Sequence, residues 1–267
     1  MLREPAVAHQ FYPGDRETLL QSLEEMMPRG VEKKDALAAI APHAGYIYSG
    51  EVAGLTFSRV CVPENVILMG PNHHGQGAPI ALMAEGAWRM PFGDVPINEP
   101  LASLILEHST LVEPDNLAHR YEHSLEVQVP FLQFLQPKLS LAPLVISHIS
   151  FDHCRQLGLE LAAAVKSFAR PVLIVASTDM THYESRRSAT AKDHLAMERI
   201  EKLDPEGLYN TVLDNRISMC GIMPTTVALV AALELGAKNA ELIRYTDSGE
   251  TSGKTDQVVG YAGFVIA

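Results

Sequence analysis

The sequence predicts an α/β protein whose central sheet, mostly parallel or mixed, is covered by helices on both faces. Two observations support this prediction. Short, wholly apolar runs such as residues 172–175 are typical of strands that are buried on both faces. Longer segments with the apolar spacing of helices separate these runs, so strands and helices alternate along the chain.

Strands are predicted where a short apolar run ends at glycine, proline or a polar cluster. The run 37–41 is stopped by Pro42, for example, and the run 66–69 is followed by Gly70. Glycine and proline recur at short intervals in residues 79–96, which predicts strands or a hairpin at the sheet edge. The other predicted strands are residues 37–41, 66–69, 141–146, 172–175, 242–245 and 258–266.

Helices are predicted where capping residues precede a periodic apolar segment. Asp15 is an N-cap candidate for the first helix, and Pro130 is expected to kink a later one. The last helix is apolar nearly all round, so we expect it to be buried. The predicted helices are residues 15–26, 50–60, 100–108, 123–135, 152–168, 188–203, 205–215 and 224–235.

Composition and charge exclude several classes of protein. The chain of 267 residues carries a net charge of −11, whereas nucleic-acid binding needs clustered Lys and Arg. No linker or internal repeat divides the sequence, so we predict one domain over residues 1–267. No apolar stretch is long enough to span a membrane, and the first residues do not resemble a signal peptide. Three widely spaced cysteines do not suggest a disulfide framework, so a cytoplasmic location is expected.

Histidine and acidic residues follow three of the predicted strands. His43 comes directly after the first strand, His73 and His74 after the second, and Asp179 and His182 after the strand at 172–175. In open α/β sheets, ligand sites form beyond the carboxyl ends of the strands. These residues are therefore expected to contribute to one site.

Each of these residues also has a plainer interpretation. A single histidine after a strand is more often a hydrogen-bonded loop residue than a ligand. The neighbours His73 and His74 cannot direct both rings the same way on extended backbone, so at most one is expected to bind a metal. Cys220 is by itself best explained as a small buried apolar residue. Its place before a predicted helix start, however, predicts a lowered thiol pKa.

Two further pairs have spacings that suit a site. If their segment is helical, Glu126 shares a face with His123 and with Glu122. A carboxylate bonded to a ligand histidine fixes the tautomer of that ring. The alternative interpretation is that these three residues are ordinary polar side chains on a solvated helix face. Asp179 and His182 are three apart, so the acid could orient the imidazole, or it could simply cap a turn.

Five motifs together resemble the signature of the Memo family. Any one of them is weak evidence, but they occur in family order and cover essentially the whole chain. The motifs are Ala41-Pro42-His43-Ala44-Gly45-Tyr46-Ile47-Tyr48-Ser49-Gly50, Gly70-Pro71-Asn72-His73-His74, Glu122-His123-Ser124-Leu125-Glu126, Ser177-Thr178-Asp179-Met180-Thr181-His182 and Cys220-Gly221.

The resemblance implies a fold similar to class III extradiol dioxygenases, in which two histidines and a carboxylate hold ferrous iron. It carries the metal ligands to His43 and His73, and puts Cys220 in the place of the carboxylate. It also places His182 where the dioxygenases keep an acid/base histidine, with Asp179 beside it. The residues expected to contact a substrate are Phe11 and Tyr48 at the pocket mouth, together with His74, Glu122, His123 and Glu126.

Two functions follow from the resemblance. The first is a redox or dioxygenase-like enzyme with Fe(II), and with copper or zinc as alternatives, because a thiolate softens the ligand set. The second is a non-catalytic module that keeps the metal pocket and binds a peptide or protein. Bacterial and archaeal members are the B component of a three-part system. The resemblance therefore implies AMMECR-type and radical S-adenosylmethionine (SAM) proteins as partners.

Overall fold

Strands and helices alternate along the chain in a computed structural model that describes residues 1–267. The strands are β1 (Leu2–Arg3), β2 (Ala38–Ala41), β3 (Asn65–Pro71), β4 (Ile80–Leu82), β5 (Ala87–Trp88), β6 (Val95–Pro96), β7 (Glu113–Pro114), β8 (Ser140–Ile146), β9 (Val172–Ser177), β10 (His182–Glu184), β11 (Ala240–Asp247) and β12 (Val258–Ile266). The helices are α1 (Arg16–Met26), α2 (Tyr46–Ser58), α3 (Glu99–His108), α4 (Val129–Leu135), α5 (Phe151–Phe168), α6 (Arg186–Glu201), α7 (Pro205–Asp214), α8 (Ile222–Leu235) and α9 (Gly249–Ser252).

Nine strands form one mixed sheet in the order β10-β12-β2-β9-β3-β8-β4-β7, and β11 pairs with β12. The four central strands, β2, β9, β3 and β8, are parallel to one another. The flanking strands β12 and β4 run antiparallel to β2 and β8. This arrangement confirms the predicted α/β class.

Side chains of the central strands alternate between two apolar cores. Ile174 and Ala176 belong to the core that includes α5 and α8, whereas Leu173 and Val175 belong to the core that includes Phe57 of α2. Helix α8 packs against α5, α7 and the sheet, which explains why it is apolar nearly all round. No helix in the structure is both long enough and apolar enough to cross a membrane.

The edge segment at residues 79–96 divides between two sheets. Strand β4 joins the main sheet between β8 and the short strand β7, so β7 and not β4 forms this edge of the sheet. Strands β5 and β6 pair antiparallel, but they form a separate three-stranded sheet with β1 at the amino-terminal end of the chain. The hairpin expectation is therefore confirmed for β5 and β6, but in the smaller sheet.

The predicted helix at residues 123–135 is wrong over its first part. The chain forms a 3-10 turn at Glu126–Gln128, and helix α4 begins only at Val129. Pro130 lies in the first turn of α4, where its missing N–H is not needed, so it does not kink the helix. Helix α2 also begins at Tyr46, four residues before the predicted start.

A buried ion pair fixes the loop before α4 to the amino-terminal strand. The guanidinium of Arg3 lies 2.8 Å from the Glu126 carboxylate, and both side chains are almost fully buried. Arg3 also donates to the carbonyl oxygens of His119 (2.7 Å) and Glu122 (2.8 Å), and lies 4.2 Å from the Trp88 ring centroid. Arg3 therefore bonds to the backbone of the loop on both sides of the bend at residues 120–121. The ion pair thus joins β1 to the loop.

We predict that Glu126→Ala strongly destabilises the fold. The substitution leaves the buried Arg3 guanidinium without its carboxylate, and breaking such a pair costs about 3–5 kcal/mol. The free energy of unfolding from urea denaturation measures the effect. Glu107→Ala, at an exposed position of α3, is the matched control and should change stability by less than about 0.5 kcal/mol. Equal losses in the two variants would contradict the role assigned to the pair.

Candidate metal centre

Three adjacent parallel strands end at one edge of the sheet and bring the predicted site residues together. Ala41, the last residue of β2, pairs with Ser177, the last residue of β9, and Met69 of β3 pairs with Ala176. His43 therefore follows β2 at the point where Asp179 follows β9, and His43 N–H donates to the Asp179 carboxylate at 2.7 Å.

His43, His73 and His123 form a cluster whose ring nitrogens lie within 4.8 Å of one another. His73 and His123 stack with their centroids 4.6 Å apart, and His43 meets both rings edge-on. Burial and the neighbouring imidazoles lower the pKa of His43 far below its usual range. Burial lowers the pKa of His123 to about 4. Both rings are therefore neutral at pH 7, which is the form of histidine that binds metals.

Cys220 lies at the same point, ahead of α8. Its Sγ is 3.2 Å from His43 Nε2 and accepts the N–H of Asp179 at 3.2 Å. Burial raises the pKa of the Cys220 thiol, and the nearby Asp179 raises it further. The expected lowering of this pKa by the helix start is thus wrong for the metal-free protein, because burial outweighs the helix dipole. A bound cation would reverse this effect by favouring the thiolate.

Glu122 holds His73 in place from outside the cluster. Its carboxylate accepts both His73 Nδ1–H at 2.8 Å and the backbone N–H of His73 at 2.7 Å. Burial favours the neutral acid, but the hydrogen bonds from His73 and Ser124 hold the pKa of Glu122 well below its usual range. When the His73 ring is neutral, its proton therefore lies on Nδ1 and its lone pair on Nε2. Glu122 orients a ring in the cluster rather than pointing at a substrate.

Glu126 lies away from the cluster, because the helix that would have put it on one face with Glu122 does not form. Its Oε1 accepts from Val7 N–H (3.0 Å) and the Tyr12 hydroxyl (2.9 Å). Its Oε2 accepts from Ala6 N–H at 2.7 Å and pairs with Arg3. Both oxygens are thus occupied by the amino-terminal segment, and neither is free to contact a substrate.

His182 is oriented by a backbone carbonyl rather than by Asp179. Its Nδ1–H donates to the Ser218 carbonyl oxygen at 2.9 Å, which leaves a lone pair on Nε2. Asp179 instead accepts the His43 N–H. Burial raises the pKa of Asp179 to about 6, so this acid titrates close to neutral pH. The sequence spacing of three placed Asp179 and His182 in one loop, but it did not identify the partner of either side chain.

Of the two aromatic residues expected at the pocket mouth, Phe11 contacts the cluster, whereas Tyr48 makes no hydrogen bond or ring contact with it. The Phe11 ring contacts the His123 ring with centroids 4.9 Å apart, and the Phe11 carbonyl accepts the N–H of Tyr46. Tyr48, in the first turn of α2, is 42% exposed. His74 is also exposed, and its ring donates to the Tyr121 carbonyl, so it turns away from His73. The structure thus separates the two adjacent histidines, as the extended backbone predicted.

Sequence reasoning missed two polar residues behind His43. Ser177 Oγ lies 2.9 Å from His43 Nδ1, and Gln128 Nε2 lies 2.7 Å from the same oxygen. A signal existed for Ser177, because it continues the row of Leu173 and Val175 and is the polar member of that row. Gln128 lay in a segment that was wrongly predicted to be a regular helix.

Comparison with known proteins identifies the family. A family model described as Memo-like protein matches residues 3–265. The chain belongs to the Memo-like family. A MEMO1 family protein from Pyrobaculum aerophilum is 41% identical to it, over 99% of each chain. Another, from Aquifex aeolicus, is 39% identical, also over 99% of each chain. The resemblance based on the five motifs is therefore confirmed.

A solved structure shares the Memo-like chain's fold at low sequence identity. The crystal structure of an uncharacterized protein from Escherichia coli K12 superposes with a TM-score of 0.58 and is 15% identical. The match covers 84% of this chain and 98% of the other. At this identity the likeness shows the fold alone.

We predict that Glu122→Gln lowers the pKa of His73 in the metal-free protein. Burial lowers this pKa, but the hydrogen bond and charge of Glu122 outweigh it, so the pKa lies above the ordinary value of 6.5. Without the charge, burial dominates and the pKa falls below that value. NMR titration of the ring protons measures it, with the exposed Glu113→Gln as control. An unchanged His73 pKa in Glu122→Gln would rule out this orienting contact.

Proposed function

We propose that this Memo-like protein binds a transition-metal ion through His43, His73 and Cys220, and uses it to oxidise an organic substrate. The observation that carries the proposal is the convergence of two imidazoles and a thiol from three separate loops. His43 Nε2 is 3.2 Å from Cys220 Sγ, and the His43 and His73 nitrogens lie within 4.8 Å of each other. Donors of one tetrahedral ion lie about 3.5 Å apart, so His43 and Cys220 already have this spacing. Cys220 lies outside the group of ligand atoms that are within 4.8 Å of one another, so binding requires Cys220 Sγ and His73 to move toward each other.

The donor set fits a transition metal. Glu122 takes the Nδ1–H of His73, so the Nε2 lone pair of this ring is free for an ion. The side chain of His73 is 30% exposed, which leaves a route to the cluster from solvent. Nitrogen and sulfur donors suit iron, copper and zinc better than magnesium or calcium. We favour Fe(II), because the motifs resemble those of ferrous dioxygenases, with copper or zinc as alternatives.

His123 is a competing third or fourth donor. Its ring nitrogen lies in the cluster with those of His43 and His73, and its low pKa keeps it neutral. It is also stacked on His73 and packed against Phe11, which holds the ring at the open side of the site. We assign it to substrate contact, since its side chain is 21% exposed beside Phe11 and Cys220 Sγ already lies 3.2 Å from His43 Nε2.

The chemistry of the proposed reaction divides between the metal and the protein. A bound ferrous or cuprous ion would supply electron transfer to dioxygen. His182 Nε2 carries a lone pair and is suited to take a proton from the substrate or return one. Phe11 and Tyr48 would limit the access of water, and Asp179 fixes the loop that carries His43. AMMECR-type and radical SAM proteins are the proposed partners, because the family motifs imply that system.

A second candidate function is a binding module for a peptide or protein. Ile47 is 70% exposed and Tyr48 is 42% exposed, although both are large side chains in the first turn of α2, four and five residues after His43. Exposed apolar residues of this kind favour an interaction surface. In the enzyme His182 would transfer a proton, whereas in the binding module it would only contact a partner, so substitutions can distinguish the two functions.

We predict that His43→Ala, His73→Ala and Cys220→Ala each weaken binding of Fe(II) or Cu(I) by at least about 100-fold, because each removes one donor. Metal content and affinity of anaerobically purified protein measure this. Two variants serve as controls, because each removes a histidine or a cysteine away from the site. They are His148→Ala, after β8, and Cys154→Ala, at a buried position in the first turn of α5. His123→Ala should retain the metal, whereas retention by Cys220→Ala and loss in His123→Ala would make His123 the third ligand. Full metal content in all three ligand variants would refute the site.

We predict that His182→Ala keeps its metal and loses most of any metal-dependent oxidation. Acid/base groups contribute about 10²- to 10⁴-fold, so the loss should be large. Asp179→Asn should lose less, since Asp179 does not orient His182. Oxygen consumption with a panel of reductants and aromatic diols measures the activity. If the protein is a binding module, oxygen consumption by the metal-loaded protein should not exceed that of the free metal. His182→Ala should then alter only the affinity for a partner.

A further inference from the structure

Ser177 and Gln128 form a buried hydrogen-bonded group directly behind His43. Ser177 Oγ lies 2.9 Å from His43 Nδ1, 2.7 Å from Gln128 Nε2 and 2.6 Å from the carbonyl oxygen of Ser124. His43 is 2% exposed, and Ser177 and Gln128 are fully buried. Solvent therefore cannot replace any of these hydrogen-bond partners.

The direction of each hydrogen bond can be deduced from its partners. Gln128 Nε2 also lies 2.8 Å from the carbonyl oxygen of Pro42, so this end of the side chain is the NH₂ group and donates both bonds. A carbonyl can only accept, so the single hydroxyl proton of Ser177 goes to Ser124. Only a lone pair of Ser177 Oγ then remains for His43. The proton of the neutral His43 ring must lie on Nδ1.

We propose that Ser177, supported by Gln128, is a positioning residue that holds His43 as the Nδ1-protonated tautomer and leaves the Nε2 lone pair facing Cys220. The importance of this tautomer for a metal rests on the proposed function above. The tautomer itself does not, because every bond that fixes it exists without a metal. The two residues act through His43 and touch neither the ion nor a substrate.

Removing the Ser177 hydroxyl should make the Nε2-protonated tautomer of His43 the more stable one. In Ser177→Ala the Nδ1–H of His43 would be buried without an acceptor, which is unfavourable. The alternative tautomer can donate from Nε2 to Cys220 Sγ, 3.2 Å away. That proton would occupy the nitrogen that binds the ion, so binding would require the tautomer to change first. Loss of such an outer partner lowers metal affinity by about 10- to 100-fold.

The first test measures the tautomer in wild-type, metal-free protein. ¹⁵N-histidine NMR distinguishes protonated from unprotonated ring nitrogens, and His43→Gln assigns the His43 signals by their loss. We expect a protonated Nδ1 and an unprotonated Nε2. A protonated Nε2 would overturn the inference, without any variant having to fold.

The second test compares Ser177→Ala with Ser58→Ala, which also removes a buried hydroxyl that makes a 2.7 Å bond, but on α2. Ser177→Ala should shift His43 toward the Nε2-protonated form and bind Zn²⁺ about 10- to 100-fold more weakly. Gln128→Met should cause a smaller shift in the same direction. An unshifted tautomer in Ser177→Ala would overturn the inference. If wild-type protein does not bind Zn²⁺, Fe(II) or Cu(I) but the tautomer shifts as expected, the metal proposal fails and the positioning role stands.

Discussion

The parallel pairing of β2, β9 and β3 is the constraint on which the site depends. Because these strands are neighbours and run in one direction, the residues that follow them meet at one edge of the sheet. The register sets Ala41 opposite Ser177, which puts the hydroxyl of Ser177 within hydrogen-bond distance of the His43 ring. A shift of one residue would turn Ser177 to the other face of the sheet. The same pairing that builds the core thus also aligns His43.

Charge in this region is balanced by two carboxylates with different tasks. Glu126 neutralises the buried Arg3, and together they fix β1 to the loop that precedes α4. Glu122, four residues earlier, bonds to His73 from the same loop. Because Arg3 also bonds to the Glu122 carbonyl, the ion pair and the His73 contact share one rigid segment. The amino-terminal strand therefore contributes to the geometry of the histidine cluster without touching it.

The sequence predicted the sheet and the meeting of the strand-end residues, because both follow from apolar runs and from where polar residues interrupt them. It failed between residues 122 and 128, where local spacing suggested a helix. There Arg3, more than 100 residues away in the chain, bonds to the Glu122 carbonyl and pairs with the Glu126 carboxylate. A contact between residues so far apart in the chain produces no periodic pattern in the sequence. For the same reason, the sequence did not reveal the role of Gln128 or the hydrogen-bond partners of Asp179 and His182.

The wrong expectation for Cys220 shows how the metal-free site is poised. A helix start favours a thiolate, but this effect is modest and weakens beyond the first turn. Burial beside His43 and Asp179 opposes it and prevails, so the thiol keeps its proton. The side chains of His43, His123 and Cys220 therefore carry little charge, which burial tolerates well. On the proposed function, a cation would stabilise the thiolate and bind at the lone pairs that Ser177 and Glu122 keep free.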